Sequence, residues 1–222
     1  DQKFLNRASA KFELSQNPYH ERILHLKLDE AALAGFLEDA KDIDVQNLEY
    51  IPFMRFHLAR ALTQRLGTGF DETLRNIVKD RNHGGFTVGL QGVSAQSSDY
   101  IKFGTAIGHI LGPGNHDSMS GTYYARFVVK HTDASDSYLR QAYRLFTLHT
   151  DGTFVSEATD WLLMMKFEER NAVGGESRFL HLDDWVERDE ILSNPLGSKP
   201  FLYKAPGSKN VDEVVERPVF FH

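Results

Sequence analysis

Cysteine is absent from all 222 residues. That excludes disulfides and thiolate metal sites, so any bound metal must be held by His, Asp, Glu or water. Long apolar runs are missing too: the longest, Trp161-Leu162-Leu163-Met164-Met165, falls far short of a membrane span. The leading residues Asp1-Gln2-Lys3-Phe4-Leu5-Asn6-Arg7 contain no signal-peptide core. Basic charge is also in deficit, with 25 Lys and Arg against 31 Asp and Glu and a formal charge of -6. With no basic patch to neutralise phosphates, neither a nucleic-acid nor a membrane partner is expected. No Gly-rich phosphate loop, internal repeat or low-complexity tract occurs. A cytoplasmic protein is the expectation.

What is there is ordinary globular composition: 41% hydrophobic, 25% charged and 12% aromatic residues. A chain of this length buries a sizeable core without covalent staples. In the first half, Leu24, Leu26 and Leu28 alternate with His25 and Lys27, which predicts a strand. Asp29 is placed to cap a helix through Ala40 whose apolar face is Leu33, Phe36, Leu37 and Ala40. A second helix is expected from Pro52 to Leu66, with Gly67 as its stop. A third is expected over residues 71–82 and a short strand over 86–90. Ser98 is placed to cap a fourth helix that stops at Gly112-Pro113-Gly114.

After Gly121 the pattern turns to strands, expected over residues 123–130, 144–149, 159–167, 178–182, 201–205 and 218–221. Asp183 is read as the cap of a short helix over 184–192. Helices beside a run of short strands predict a barrel or sandwich with a helical flank. A jelly roll needs about eight strands, so the chain is expected to lack the last of them. The whole is read as one domain, with residues 1–117 as flank and 118–222 as the first part of the barrel.

Without cysteine, oxygen and nitrogen ligands carry the search. His-x-Asp at a strand end puts both side chains on one face, where they can bind one metal along adjacent edges. With a distant second His this makes the 2-His-1-carboxylate triad of non-heme iron(II) oxygenases, which leaves positions open for a cosubstrate and O2. By chance alone about one such tripeptide is expected in this composition, and there are three. His131-Thr132-Asp133 lies among turn residues, where Asp133 is explained as a turn former. In His181-Leu182-Asp183, a helix cap explains the aspartate. His149-Thr150-Asp151 ends an expected strand and is followed by Gly152, which lets backbone pass close to a bound group. Downstream comes Gly174-Gly175-Glu176-Ser177, a tight turn carrying a hydroxyl. The remaining histidines, at 20, 25, 57, 83, 109 and 116, have no spacing that suggests a metal.

His-x-Asp followed by Gly-Gly-(Asp/Glu)-(Thr/Ser) at this separation resembles the taurine dioxygenase and clavaminate synthase superfamily. Residues 118–130, Asp136-Ser137-Tyr138-Leu139-Arg140-Gln141, 149–166 and His181-Leu182-Asp183-Asp184-Trp185 resemble one family within it, the carbon-starvation-induced glutarate 2-hydroxylases. The likeness covers most of the chain, is weak before Leu48 and is dense from Ser118 to Asn210. It implies a mixed α/β, mainly β fold: a double-stranded β-helix, or jelly-roll, core with flanking helices, clavaminate synthase-like. It implies iron(II) held by His149, Asp151 and a later His, with 2-oxoglutarate as cosubstrate. Ser177 matches the hydroxyl residue that contacts 2-oxoglutarate in the superfamily. Glutarate and O2 are the implied substrates and a homotetramer the implied assembly. The distal His and the Arg that anchors 2-oxoglutarate in the family lie beyond residue 222, and His222 does not match that His.

A dicarboxylate substrate needs fixed cations or donors, and a guanidinium fork suits a carboxylate best. Tyr124, Arg126 and Lys130 share one face of the expected strand, and Arg140 and Arg144 precede the ligand strand. Tyr124 and Arg126 are the leading substrate-binding candidates. Two other readings stay open: the same oxygenase chemistry on another small acid, and a non-enzymatic jelly-roll module that binds a small acid or a protein partner.

Overall fold

The computed structural model describes residues 11–116, 121–126, 128, 147–157, 159–205 and 214–220. It is a mixed α/β chain with small sheets, and it divides into two units. The first comprises Asp1–Asn115 with Leu163–Arg170, the second His116–Leu162 with Asn171–His222.

In the first unit, strands β1 (Phe12–Gln16), β2 (Ile23–Leu28) and β3 (Gly85–Val88) form one sheet in that order. β1 runs antiparallel to β2, and β3 pairs with β2 in parallel. The expected alternation in β2 is present: Leu24, Leu26 and Leu28 are buried, while His25 turns outward to Thr87 Oγ1 at 2.9 Å. β1 has no counterpart in the sequence reading, although Phe12 and Leu14 carry the same period of two.

Between β2 and β3 the chain forms α1 (Glu30–Asp39), α2 (Val45–Tyr50), α3 (Phe53–Leu66) and α4 (Phe70–Lys79); α5 (Ser97–Leu111) follows. α1 begins where expected because Asp29 Oδ1 accepts from the Ala32 N–H at 2.8 Å, satisfying a donor that the helix itself cannot. Asp29→Ala is expected to cost about 1 kcal/mol, read as a lower urea midpoint. An unshifted midpoint would mean that water replaces the cap. α3 starts after Pro52 and stops at Gly67, whose φ of 90° only glycine adopts cheaply. α5 is a correction in detail. Its cap is Gln96, in a reciprocal box with Asp99, and not Ser98.

The core of this unit is Leu26, Leu33, Phe36, Leu48, Leu58, Leu62, Leu66, Phe70, Leu74, Ile77, Phe103 and Ile107, all fully buried. Each such side chain contributes about 1.5–3 kcal/mol. Two buried cations serve the helix ends. Lys102 Nζ donates to the carbonyls of Ala40 and Lys41 at 2.7 and 3.1 Å, closing the C-terminal end of α1. Arg55 Nη2 donates to the Leu48 carbonyl in α2 at 2.8 Å. Arg65 on α3 grips Asp39 on α1 with two hydrogen bonds of 2.7 Å, which hold the Asp39 carboxyl below its usual range. α5 presents Gly104 and Gly108 to the segment 163–170. A Cβ on Gly104 would come within 2.5 Å of Met165 Cε, and one on Gly108 within 3.6 Å of Leu163 Cδ2.

In the second unit, β4 (Pro200–Lys204) and β5 (Val214–Pro218) form an antiparallel hairpin that pairs Phe201 with Arg217. A short helix, α6 (Arg188–Leu192), and two 3-10 turns, Leu182–Asp184 and Pro195–Ser198, precede it. Several expected strands are corrected here. Residues 159–167, of which 163–167 belong to the first unit, and 178–182 form no ladder with any described residue. Their apolar pattern is genuine, but Trp161, Leu162, Met164, Phe179 and Leu182 are more than half exposed. Alternation sets the faces of a strand, whereas the strand itself exists only when a second segment supplies hydrogen bonds. Residues 123–126 and 147–149 likewise form no strand, and 127, 129–130 and 144–146 lie outside the described residues. Asp183 is not the cap of a helix over 184–192, since α6 begins after Glu187. The 3-10 turn is capped by His181, whose Nδ1 accepts from the Asp183 N–H at 3.1 Å.

Candidate metal centre

His149 and Asp151 are brought together in the second unit, with Nε2 of the imidazole 3.7 Å from Oδ1 of the carboxylate. Both side chains are partly exposed. His149 Nδ1 lies 2.8 Å from the Thr147 carbonyl oxygen. A carbonyl only accepts, so Nδ1 donates, and Nε2 is the nitrogen that turns toward Asp151 and can offer a lone pair to a metal. A backbone carbonyl that fixes the tautomer in this way is the usual second partner of a metal-ligating histidine.

The separation fits a shared ion. Ligand bonds of about 2.1 Å at right angles put donor atoms about 3 Å apart, and opposed bonds about 4.2 Å. The observed distance lies between these. An imidazole nitrogen and a carboxylate oxygen also make a donor set suited to a divalent first-row metal. Among the described residues no group of three or more His, Asp or Glu is placed to hold a metal, so the pair offers at most two of the donors such a site needs.

Gly152 follows at once with φ of 86°. A Cβ there would stand 2.9 Å from Thr159 Oγ1 and 3.0 Å from Thr159 N. Both the backbone conformation and the space thus require glycine directly after the carboxylate. The residues that follow form a turn, in which the Val155 N–H approaches the Gly152 carbonyl at 3.5 Å. Arg217, on β5, donates from Nη2 to the carbonyls of Gly152 at 3.0 Å and Thr153 at 3.1 Å, and also to that of Val155. Nothing local in the sequence points to Arg217, because 65 residues separate it from the loop it holds.

The other His-x-Asp tripeptides differ. Asp183 is bound by Arg188 Nη1 at 2.6 Å, and His181 Nδ1 is engaged by backbone, so this pair is structural. His131 and Asp133 lie outside the described residues. The remaining histidines pack or hydrogen-bond elsewhere: His20 with the Arg22 N–H, His25 with Thr87, His57 against Phe53, His83 with Asp80, His109 against Phe56 and His116 against Tyr123. Burial, with Arg55 nearby, holds the His109 pKa below its ordinary value.

Tyr124 and Arg126 meet: Arg126 Nη2 donates to the Tyr124 hydroxyl at 3.1 Å, and its guanidinium carbon sits 5.6 Å from the centre of the Tyr124 ring. Ser177 is exposed and follows the turn at Gly174 and Gly175, whose φ values of 83° and 81° need glycine. Lys130, Arg140 and Arg144 lie outside the described residues.

These features define a mixed α/β chain with a tautomer-fixed His-x-Asp pair. The CsiD family model matches residues 12–222. A glutarate 2-hydroxylase of Citrobacter koseri is 41% identical over 218 residues, covering 97% of this chain and 67% of that protein. A glutarate 2-hydroxylase of Klebsiella pneumoniae is 42% identical over 211 residues, covering 94% and 65%. The chain belongs to the CsiD family, and it spans about two thirds of the length of these curated relatives.

Proposed function

We propose that this protein is an iron(II)- and 2-oxoglutarate-dependent dioxygenase that hydroxylates glutarate at C2. Glutarate, 2-oxoglutarate and O2 become 2-hydroxyglutarate, succinate and CO2. The observation that carries the reading is the 41–42% identity, over nearly the whole chain, to two proteins named glutarate 2-hydroxylase. The His149–Asp151 geometry supports it independently, because it brings the donor types such an iron takes within reach of one ion.

In this reading His149 binds through Nε2, Asp151 through a carboxylate oxygen, and a later histidine completes the triad within a jelly-roll core. Iron held there supplies the activation of O2 at the expense of 2-oxoglutarate. The Thr147 carbonyl keeps His149 correctly turned. Ser177 contacts 2-oxoglutarate. Tyr124 and Arg126 take one carboxylate of glutarate: a phenol oxygen that accepts from Arg126 keeps its own proton to donate, beside the guanidinium fork. The protein works in the cytoplasm, and as the homotetramer that the family resemblance implies.

The test is succinate release from 2-oxoglutarate by the full-length protein with iron(II) and O2, with and without glutarate. Succinate stimulated by glutarate is expected. Succinate that ignores glutarate would transfer the same chemistry to another small acid, and none from folded, iron-loaded protein would leave a binding module. Arg126→Gln is expected to raise KM for glutarate about 10–100-fold with little change in kcat, the loss of one charge-assisted interaction of uniform binding. An unchanged KM would remove Arg126 from the substrate site.

A further inference from the structure

The turn after Asp151 is held from two sides. Thr159 fills the space where a side chain on Gly152 would stand, and Arg217 draws the carbonyls of Gly152, Thr153 and Val155 toward one nitrogen. Nη2 carries two hydrogens, so three acceptors around it share them, and each bond is strengthened by the cation's charge. The turn's own closure is slight: the Val155 N–H to Gly152 contact is 3.5 Å, at the limit of a hydrogen bond. Gly152 itself permits many backbone conformations. Left alone, residues 151–155 would sample several arrangements, and each would point the Asp151 carboxylate differently.

Arg217 is in turn fixed by elements of its own. It pairs with Phe201 in the β4–β5 ladder. Beyond the end of β5, the Phe220 N–H donates to the Gly197 carbonyl at 3.0 Å, and the Phe220 ring occupies the space a Cβ on Gly197 would take. The guanidinium therefore projects from a registered hairpin and not from a loose loop.

We infer that Arg217 is a positioning residue for the metal site: by gripping the turn over residues 152–155 it holds the Asp151 carboxylate beside His149. The inference rests on the reading of His149 and Asp151 as iron ligands. Arg217 touches neither substrate nor metal in this role. Its part is to remove conformations in which Asp151 faces away, so its loss appears first as weaker metal binding. Partners that orient a ligand typically alter metal affinity 10–100-fold when removed.

The experiment uses the full-length protein with iron(II) as the probe, measured by anaerobic equilibrium dialysis, alongside amide hydrogen exchange of the metal-free protein over residues 152–157. Arg217→Gln is expected to weaken iron binding about 10–100-fold and to speed exchange in that segment. Arg217→Lys, which keeps the charge but not the fork, is expected to fall between Gln and the wild type in both readouts. Iron affinity within twofold of wild type in Arg217→Gln would overturn the inference, as would weaker binding with unchanged exchange at 152–157. If Arg217→Gln does not fold, Arg217→Lys decides: wild-type affinity with wild-type exchange there would overturn it equally. A wild-type protein whose iron affinity equals that of His149→Ala would instead sink the ligand assignment, and the exchange rates would still report whether Arg217 holds the turn.

Discussion

Replacing His149 or Asp151 with alanine is expected to abolish glutarate-stimulated succinate release, lowering it more than about 100-fold, since losing a ligand costs more than losing a residue that merely orients one. Iron affinity should fall with it. His149 is the more informative site, because its Nδ1 is engaged by the Thr147 carbonyl and only Nε2 faces Asp151. Removing the imidazole therefore removes the nitrogen that the proposed reading gives to the iron. The control is built into the chain. His181 and Asp183 have the same spacing, yet Asp183 is neutralised by Arg188. Asp183→Asn should leave iron affinity within about twofold of wild type. Equal loss in both tripeptides would show that general destabilisation, and not ligation, lies behind the first result. Unchanged turnover in His149→Ala would end the assignment.

Phe36→Ala is expected to produce a large loss of stability, about 3–5 kcal/mol. The ring is fully buried on α1, and it meets Phe103 on α5 edge to face at a centroid distance of 6.3 Å. Its removal costs the transfer of the ring, the edge-to-face contact and the cavity left among neighbours that cannot all collapse. Equilibrium urea unfolding, followed by a probe in residues 11–115, checks the value. A loss below about 1 kcal/mol would mean that α1 and α5 close over the gap. Tyr19→Ala, by contrast, changes a side chain that is 94% exposed and should stay within about 0.5 kcal/mol.

The two halves of the chain differ in how much of them can be read from sequence. α1 and α3 are legible because their signals are local: Asp29, Pro52 and Gly67 each act within one turn of their own helix. α2 escapes notice because it has six residues and one buried position, Leu48, although Asp44 accepting from the Gln46 N–H marks its start. Residues 159–167 mislead for the opposite reason. Their apolar pattern is strong, but strand formation depends on a partner segment that periodicity does not encode. For the candidate metal centre, the short-range part is legible, since His149, Asp151 and Gly152 adjoin. Arg217 is not, because an arginine reaching backbone carbonyls across 65 residues leaves no mark in either stretch. The Tyr124–Arg126 contact survives without its expected strand, because two residues of separation suffice to bring the side chains together.

The segment Leu163–Arg170 belongs to the first unit although the chain has by then left it for the second. This sets an order of events on the ribosome. When residue 115 has been added, helices α1 to α5 have been made, but Leu163 and Met165, which stand against Gly104 and Gly108 of α5, have not yet arrived. At roughly 5–20 residues per second, the 55 residues from 115 to 170 take about 3–11 s. The first unit is thus begun early and finished late, with a stretch of the second translated in between. A pause in translation before residue 163 would prolong the time that Gly104 and Gly108 remain open to other nascent chains.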